Sequence, residues 1–412
     1  MLKNVSKKPI TACLLACFIS YSLVYANENG GLPIGLGQNL ASGGAGAGFV
    51  SRSGSETIGA LNSNPASAAM LGNEVSLFGQ AIWIDQYVDS SAALGGNRIG
   101  KLKAKLNKSG AILFGGNYWV NDSLAFAFGV GGGMTPTKYD QSPVVPFIPN
   151  FGPLPNFSPT SVNNVLVSKT ALFTPTVIYK PSDEQGYAVS AVLGVNTFKS
   201  NALNPLTLQE TKGKRRTEIV YGAGARIGGL WKLTDLIGLG VSASSPVKFQ
   251  KYKKYDDVIK YAPNIPGNIT VGGSFHVTET FDILLDAKKI FFRSEKFYKT
   301  LKWKDQMVYM AGVQCNCMDN LSLRAGYNYG KSPIRNDGVF LNLLSPHIAE
   351  KHVTAGLMYT ASDNMKVSLV GQYAFEKKLV DNGNGPFGIL GKGAEVKSKR
   401  QTAIQLGVVF GF

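Results

Sequence analysis

Along most of the chain after residue 73, apolar side chains alternate with small or polar ones, the period-two pattern of strands whose two faces differ. The clearest case is 321–329, where Leu323 and Arg324 fall on opposite faces, and 219–231 repeats the pattern. A half-buried sheet in a soluble protein would alternate too. The repetition, without helical segments to cover a sheet, instead favours a barrel whose outer face meets lipid.

Fourteen such segments can be distinguished, an even number as in single-chain bacterial barrels. They are predicted at 74–88, 108–120, 123–134, 168–180, 186–199, 217–233, 236–250, 267–278, 280–292, 303–316, 320–330, 351–361, 364–378 and 400–412. Short connections such as Asn121-Asp122 carry turn residues and alternate with long ones such as 135–167. The pattern predicts an all-β fold, a 14-stranded antiparallel transmembrane β-barrel with short periplasmic turns and long extracellular loops.

The C-terminus fits a barrel of the bacterial outer membrane. Ile404, Leu406, Val408, Phe410 and Phe412 alternate with smaller or polar residues, and the chain stops on an aromatic side chain. A terminal Phe on the last strand resembles the signal that the barrel assembly machinery reads. We therefore expect that machinery to be a partner.

The first 26 residues are predicted to be a signal peptide. Lys3, Lys7 and Lys8 precede an apolar stretch, and cleavage is expected after Ala26. A lipoprotein signal that makes Cys17 the lipidated N-terminus is the alternative, but it would leave an apolar tail where lipoproteins have a polar tether. No other stretch reaches the roughly 20 apolar residues that a membrane helix needs.

The sequence offers little for catalysis or for metal binding. The chain has three histidines, His276, His347 and His352, and no pattern that marks a catalytic triad, so we expect no enzyme. Cys315 and Cys317 are spaced by one residue, which we expect to be too strained for a disulfide, and no His or Cys cluster surrounds them to bind zinc. We expect no cofactor and no metal.

The chain is basic, with 42 Lys and Arg residues against 26 Asp and Glu residues and a formal net charge of +16. Many of these charges fall in or beside the predicted extracellular loops, namely Lys101, Lys103, Lys105, Lys108, Lys212, Lys214, Arg215, Arg216, Lys251, Lys253 and Lys254. This location favours contact with outer-membrane lipid and the phosphates of lipopolysaccharide over nucleic acid. The alternative is a solvated run of charges without a partner.

Residues 27–73 do not alternate and are rich in Gly, Ala and Ser. They end in the run Asn62–Gly72, which contains Asn64-Pro65-Ala66 and leads directly into the first strand. This arrangement resembles the FadL/TodX family of outer-membrane transporters. Looser similarity extends through Leu323–Tyr329 with the following Ser332-Pro333, and through 266–273 and 303–313.

The resemblance implies three parts: a signal peptide at 1–26, a hatch inside the lumen at 27–73, and the barrel at 74–412. It also implies passive transport of long-chain fatty acids or other hydrophobic small molecules by a monomer, with release through a lateral opening in the wall. A general diffusion porin or a structural or receptor barrel is the alternative. A porin would need no hatch segment.

Several residues are candidates for this transport. In the family the third strand bends beside the hatch, and here that strand carries Gly131, Gly132 and Gly133, although glycines could instead relieve crowding in the lumen. The loop after it is apolar and rich in proline, which makes Phe147 and Ile148 candidate ligand contacts at the entry side and excludes a long helix. Arg226 and Arg324 face the predicted lumen, where they could bind an acid head group or pair with carboxylates such as Glu56 or Glu74.

Overall fold

The structure is a computed structural model that describes residues 38, 41–42, 44–48, 56–94, 96, 100–143, 147–148, 152–153, 164–201, 216–257, 259–262, 264–344 and 348–412. Most of these residues form fourteen antiparallel strands. They are β1 (Glu74–Asp89), β2 (Lys108–Asn121), β3 (Leu124–Tyr139), β4 (Asn164–Ser182), β5 (Gln185–Ser200), β6 (Glu218–Lys232), β7 (Ile237–Ser244), β8 (Asn268–His276), β9 (Phe281–Ile290), β10 (Gln306–Met318), β11 (Leu321–Gly330), β12 (Lys351–Ser362), β13 (Met365–Ala374) and β14 (Glu395–Gly411).

The sheet closes on itself. Each strand pairs with its neighbours in the chain, and β1 also pairs with β14, where Glu74 lies opposite Gly411. This closed barrel of fourteen strands confirms the predicted fold class. The largest change in bounds is in β7, which ends before Pro246, since proline has no N–H to continue the ladder; pairing with β6 resumes at Lys248–Phe249.

The outer and inner faces of the barrel differ as the alternation predicts. Apolar side chains such as Tyr221, Ile227 and Leu406 stand on the exposed face, while their strand neighbours turn toward the lumen. Aromatic rings gather near the short turns, where Tyr118 stacks on Phe412 at 6.5 Å between ring centroids. An apolar band that ends in aromatic rings on the side of the short turns fits one boundary of a bilayer.

Helices are few and short in the described part of the chain, and none of them is long and apolar enough to cross a membrane. Helix α1 (Thr57–Ser63) and a 3₁₀ helix at Pro65–Met70 precede β1. Four more short helices lie in the long loops: 3₁₀ helices at Phe292–Ser294, Phe340–Asn342 and Gly388–Leu390, and α2 (Lys296–Thr300).

The expectation for Cys315 and Cys317 is wrong, because the two residues form a disulfide. The ladder between β10 and β11 shifts its register between Asn316 and Met318, which marks a β-bulge at this end of β10. The Cα atoms of the two cysteines lie 5.2 Å apart, within the range that a disulfide bridges. The bulge shortens a spacing that a regular strand would keep longer.

Candidate functional site

Helix α1 is held inside the barrel at both of its ends. At its N-terminus, Glu74 Oε1 accepts hydrogen bonds from the Thr57 backbone N–H at 2.6 Å and the Thr57 hydroxyl at 2.8 Å. At its C-terminus, Arg226 Nη1 on β6 donates to the carbonyl oxygens of Leu61 and Asn62. A carboxylate at the N-terminus and a guanidinium at the C-terminus both oppose the helix dipole favourably.

Asn64 of the Asn-Pro-Ala motif joins three parts of the molecule. Its Nδ2 donates to the Ala47 carbonyl in the glycine-rich segment at 2.8 Å and to the Gly229 carbonyl on β6 at 2.9 Å. Its Oδ1 accepts from the Ala66 N–H at 3.1 Å and caps the 3₁₀ helix that begins at Pro65. The side chain is fully buried, so its hydrogen bonds form away from water.

Glycines on the inner face of the barrel wall leave room for this motif. A Cβ atom placed on Gly228 would lie 2.1 Å from Asn64 Oδ1, and one on Gly186 would lie 2.6 Å from the Ala69 Cβ atom. Neither distance allows a side chain. Glycine is therefore required at these two wall positions so that the segment from Asn64 to Ala69 can contact β5 and β6 directly.

The glycine-rich segment before α1 also follows the inner wall. Asp286 Oδ2 on β9 accepts from the N–H groups of Gly46 at 2.9 Å and Ala47 at 2.7 Å. On β7, a Cβ atom at Gly240 would lie 1.7 Å from the Ala47 carbonyl oxygen. Backbone packs on backbone here, which explains why the segment is rich in small residues.

The two candidate arginines are both engaged by the hatch. Arg226 binds helix carbonyls, as described, rather than the carboxylate of Glu56 or Glu74. Arg324 on β11 is 3% exposed and is attracted to the carboxylates of Glu56 and Asp282. Burial raises the pKa of Glu56 to about 7, while the charge of Arg324 and a hydrogen bond from the Gln38 N–H oppose the rise.

The wall has an interruption between β2 and β3, which we call the window. Their ladder runs from the Asn121–Leu124 pair to the Phe114–Val130 pair, and in the described pairings it goes no further. Beyond that pair, β3 continues to Tyr139 in a ladder with β4, and residues 108–113 of β2 pair with β1. The Lys105 N–H donates to the Lys138 carbonyl at 2.8 Å, so the connection before β2 bounds the window on the loop side.

The hatch packs against the lower edge of the window. A Cβ atom on Gly115 of β2 would lie 2.8 Å from Ile58 Cγ1, and one on Gly129 of β3 would lie 3.3 Å from Leu61 Cδ1. Ile58, Leu61, Gly129 and Gly131 also line a cavity of about 20 Å³. A cavity of this size holds about one water molecule, so α1 leaves no passage for a ligand at this edge.

The three glycines of the candidate gate lie next to this edge. Gly131, Gly132 and Gly133 follow Val130 and pair across the ladder with Leu172, Ala171 and Thr170 of β4. Of the other candidates, Phe147 and Ile148 form a two-residue ribbon with Gly152–Pro153, and their side chains are outside what the structure describes. The sequence did not single out Asp286 or Gly228, because a lone Asp or Gly on a strand carries no signal of what packs against it.

The long loops fold over the barrel end opposite the short turns and bury an apolar group that we call the mouth cluster. Its members include Val88, Leu284, Phe292, Tyr298, Trp303, Met310, Val339, Phe340, Leu379 and Val396, with Ala45 of the glycine-rich segment. The rings of Phe292, Tyr298 and Trp303 lie 4.9–5.1 Å apart. Apolar side chains thus extend from the loops to the hatch.

Solved structures share this architecture. The P. putida toluene transporter TodX aligns with a TM-score of 0.67 at 15% identity, over 92% of this chain and 99% of that one. The Ralstonia pickettii toluene transporter TbuX aligns at 0.64 and 14%, over 92% and 98%. A Pseudomonas aeruginosa FadL homologue aligns at 0.63 and 12%, over 93% and 100%. No curated protein sequence matches the chain.

A family model provides the stronger comparison. Residues 183–408 match the model described as outer membrane protein transport protein (OMPP1/FadL/TodX). The matched part is more than half of the chain and runs from the turn before β5 into β14. This match confirms the expected outer-membrane location and passive transport of hydrophobic compounds in place of enzymatic activity. The chain belongs to the OMPP1/FadL/TodX family of outer-membrane transport proteins.

Proposed function

We propose that the protein releases its hydrophobic ligand sideways, through the window between β2 and β3, into the outer membrane. The observation that carries this proposal is the end of the β2–β3 ladder at Phe114–Val130, directly above the place where α1 packs on Gly115 and Gly129. Backbone groups that leave a ladder in lipid cost several kcal/mol each unless they find partners. The free-energy cost of this break in the ladder therefore favours a functional role for it.

The route runs from the mouth cluster past α1 to the window. A poorly soluble molecule gains nothing from a water-filled pore, whereas apolar loop side chains give it a favourable first contact. The hatch fills the axial route with backbone packed closely on the wall, as at Gly240 and Gly228. Movement of α1 away from Gly129 would open the 20 Å³ cavity toward the window.

The arrangement of charges favours uncharged ligands over fatty acids as the preferred class. An acid head group needs a cation, and the two luminal arginines proposed for it already contact the Leu61 carbonyl or face the Glu56 carboxylate. Two of the similar structures are named as toluene transporters, which accords with a neutral hydrocarbon ligand. Long-chain fatty acids are the second candidate and would have to displace one of these contacts.

Uptake and conductance together test the proposal. Cells that express the full chain should take up labelled toluene faster than cells without it, and the purified protein in planar bilayers should show no steady large conductance. A steady large conductance would instead support the general diffusion porin. Faster uptake of oleate than of toluene would reverse the order of the two ligand classes.

Three further expectations belong to this proposal: export by a signal peptide at 1–26, a hatch domain bounded at 73, and contact of the basic loops with lipopolysaccharide. Lys101 and Lys105 are exposed on the loop side of β2, and Lys254 Nζ donates to the Thr217 carbonyl. Of the cluster Lys212, Lys214, Arg215 and Arg216, the described part of the chain includes Arg216, which is exposed. Neutralising all four should lower the lipopolysaccharide that co-purifies, and unchanged retention would contradict the contact.

A further inference from the structure

A group of uncharged polar side chains lies on the inner wall across β12, β13, β14 and β1. We call it the amide patch; its members are Gln80, His352, Gln372, Gln401 and Gln405. All five are at most 6% exposed. The strand registers place them in adjacent rows. His352 and Gln401 both lie opposite Ala374, and Gln80 lies opposite Gln405, four residues further along β14.

Three members of the patch have polar atoms that nothing in the described part of the chain satisfies. Both side-chain polar atoms of Gln80, Gln401 and His352 are buried there without a hydrogen-bond partner. Buried polar groups in folded proteins are nearly always hydrogen-bonded to protein or to ordered water. Six such atoms on one wall therefore mark a surface whose hydrogen bonds a water molecule or a ligand would complete.

The patch lies on the route of the proposed transport. On the loop side it borders the mouth cluster. Val396 of that cluster precedes Gln401 on β14, and Leu379 of that cluster follows Ala374 in the chain and pairs with Val396. On the side away from the loops, the patch borders the hatch. Thr354 is the next inward-facing residue of β12 after His352, and its hydroxyl donates to the Ala41 carbonyl at 2.8 Å. Beyond β1, the next strand is β2, which forms one side of the window.

The chemistry of the patch selects one kind of polar group. A carboxamide and a neutral imidazole each offer a donor and an acceptor, and none of the five side chains supplies a carboxylate or an ammonium. A hydroxyl group, which both donates and accepts, complements such a surface. A hydrocarbon would leave the amides unbonded, and a carboxylate would meet amide oxygens that it cannot accept bonds from. Ala374 and Ala403, between the amides, provide small apolar contacts for the body of the ligand.

We propose that the amide patch is a selectivity site for hydrophobic molecules with one uncharged hydroxyl group, such as alkylphenols. This inference rests on the proposed transport function and narrows its substrate class. The ligand leaves the mouth cluster, places its hydroxyl first on Gln401 and His352 and then on Gln80, and passes on to the window. The ring or alkyl chain stays against the apolar residues on either side.

The test compares p-cresol with p-xylene, which differ by a hydroxyl in place of a methyl group. Initial uptake rates are measured in cells that express the full chain, for wild type, Gln401→Leu and Gln80→Leu. We expect each variant to lower p-cresol uptake roughly tenfold, about the value of one good hydrogen bond, and to leave p-xylene uptake unchanged. Gln185→Leu is the matched control, because its side chain bonds the Tyr187 hydroxyl outside the lumen.

The outcomes separate this inference from the proposed function. Wild-type cells that take up neither compound would overturn transport itself, whereas p-xylene uptake shows transport and correct assembly in each variant. An unchanged ratio of the p-cresol rate to the p-xylene rate in Gln401→Leu and in Gln80→Leu would overturn the patch as a ligand site and leave it to bound water. If one of these variants fails to assemble, the ratio of the p-cresol rate to the p-xylene rate in the other variant and in His352→Leu tests the proposal instead.

Discussion

Glu74 and Arg226 hold opposite ends of the same seven-residue helix, one from β1 and the other from β6. Glu74 is the first residue of the barrel and accepts from the first N–H of α1, and Arg226 donates to its last carbonyls. The helix is therefore fixed to two separate parts of the wall by charge-assisted hydrogen bonds, which are stronger than neutral ones. Loss of either contact should free one end of the hatch without breaking a strand ladder.

Replacing Arg226 with methionine is expected to loosen α1. The variant removes the donors to Leu61 and Asn62 and keeps most of the side-chain volume. A hydrogen bond to a charged group contributes about 1.5–3 kcal/mol, so amide exchange of residues 57–63 should accelerate roughly tenfold to a hundredfold. Ser244→Ala is the control, because it removes only the hydroxyl that accepts from Arg226 Nε at 2.8 Å. Equal exchange rates in wild type and Arg226→Met would show that the contact does not hold the helix.

Asn64 and Gly228 should be coupled in a double-mutant cycle. Gly228→Ala places a Cβ atom 2.1 Å from Asn64 Oδ1, which displaces the motif, and Asn64→Ala removes the side chain that is in the way. We expect each single change to increase the entry of a water-soluble antibiotic through a displaced hatch. The double variant should leak less than the sum of the two, because direct contacts couple. Additive effects would place the two residues in separate roles.

The sequence predicts the barrel because each lipid-facing strand repeats the same period-two alternation of side chains. The alternation at 321–329 and the turn residues at Asn121 act over a few positions, so strand number and the side of each turn follow without tertiary information. Boundaries were less accurate where the alternation stops, as at Pro246, or where a bulge shortens the chain, as at Asn316. The disulfide between Cys315 and Cys317 depends on that bulge, which the spacing alone does not reveal.

The site was less predictable, because its contacts join residues far apart in the chain. Arg226 was recognised as luminal, but its partner is a helix carbonyl, and carbonyls have no signature in a sequence. Asp286 binds Gly46 from 240 residues away. The window likewise depends on the register between β2 and β3, which no local pattern determines.

The stability of the hatch is expected to fall as the pH rises from about 4.5 to about 7. The ordinary pKa of Glu56 is 4.5, and burial raises it to about 7 in the folded hatch, so the folded state binds a proton that the released hatch has lost. The contribution is fully present below the lower value and is lost as the pH passes the upper one. It amounts to about 3 kcal/mol for a shift of this size.

Amide exchange of residues 57–63, corrected for the intrinsic rate, measures this change between pH 5 and pH 8. Glu56→Gln keeps the shape of the side chain and cannot ionise, so the protection of its hatch should change less between the two values than in wild type. A wild-type hatch that is better protected at pH 8 would mean that the attraction to Arg324 exceeds the cost of burial.

Valine at Gly131 and Gly132 should abolish uptake of a hydrophobic substrate while the barrel still assembles. Both glycines follow the last rung of the β2–β3 ladder, and Gly131 lines the cavity against Ile58 and Leu61. A β-branched side chain favours a regular strand and fills the space at the window edge. Gly371→Val on β13 is the matched control, because a Cβ atom there has nothing within 4 Å. Heat-modifiable migration on a gel checks assembly, and toluene uptake checks transport. If the double variant transports at the wild-type rate, the ligand does not leave through the window, and passage along the barrel axis becomes the better account.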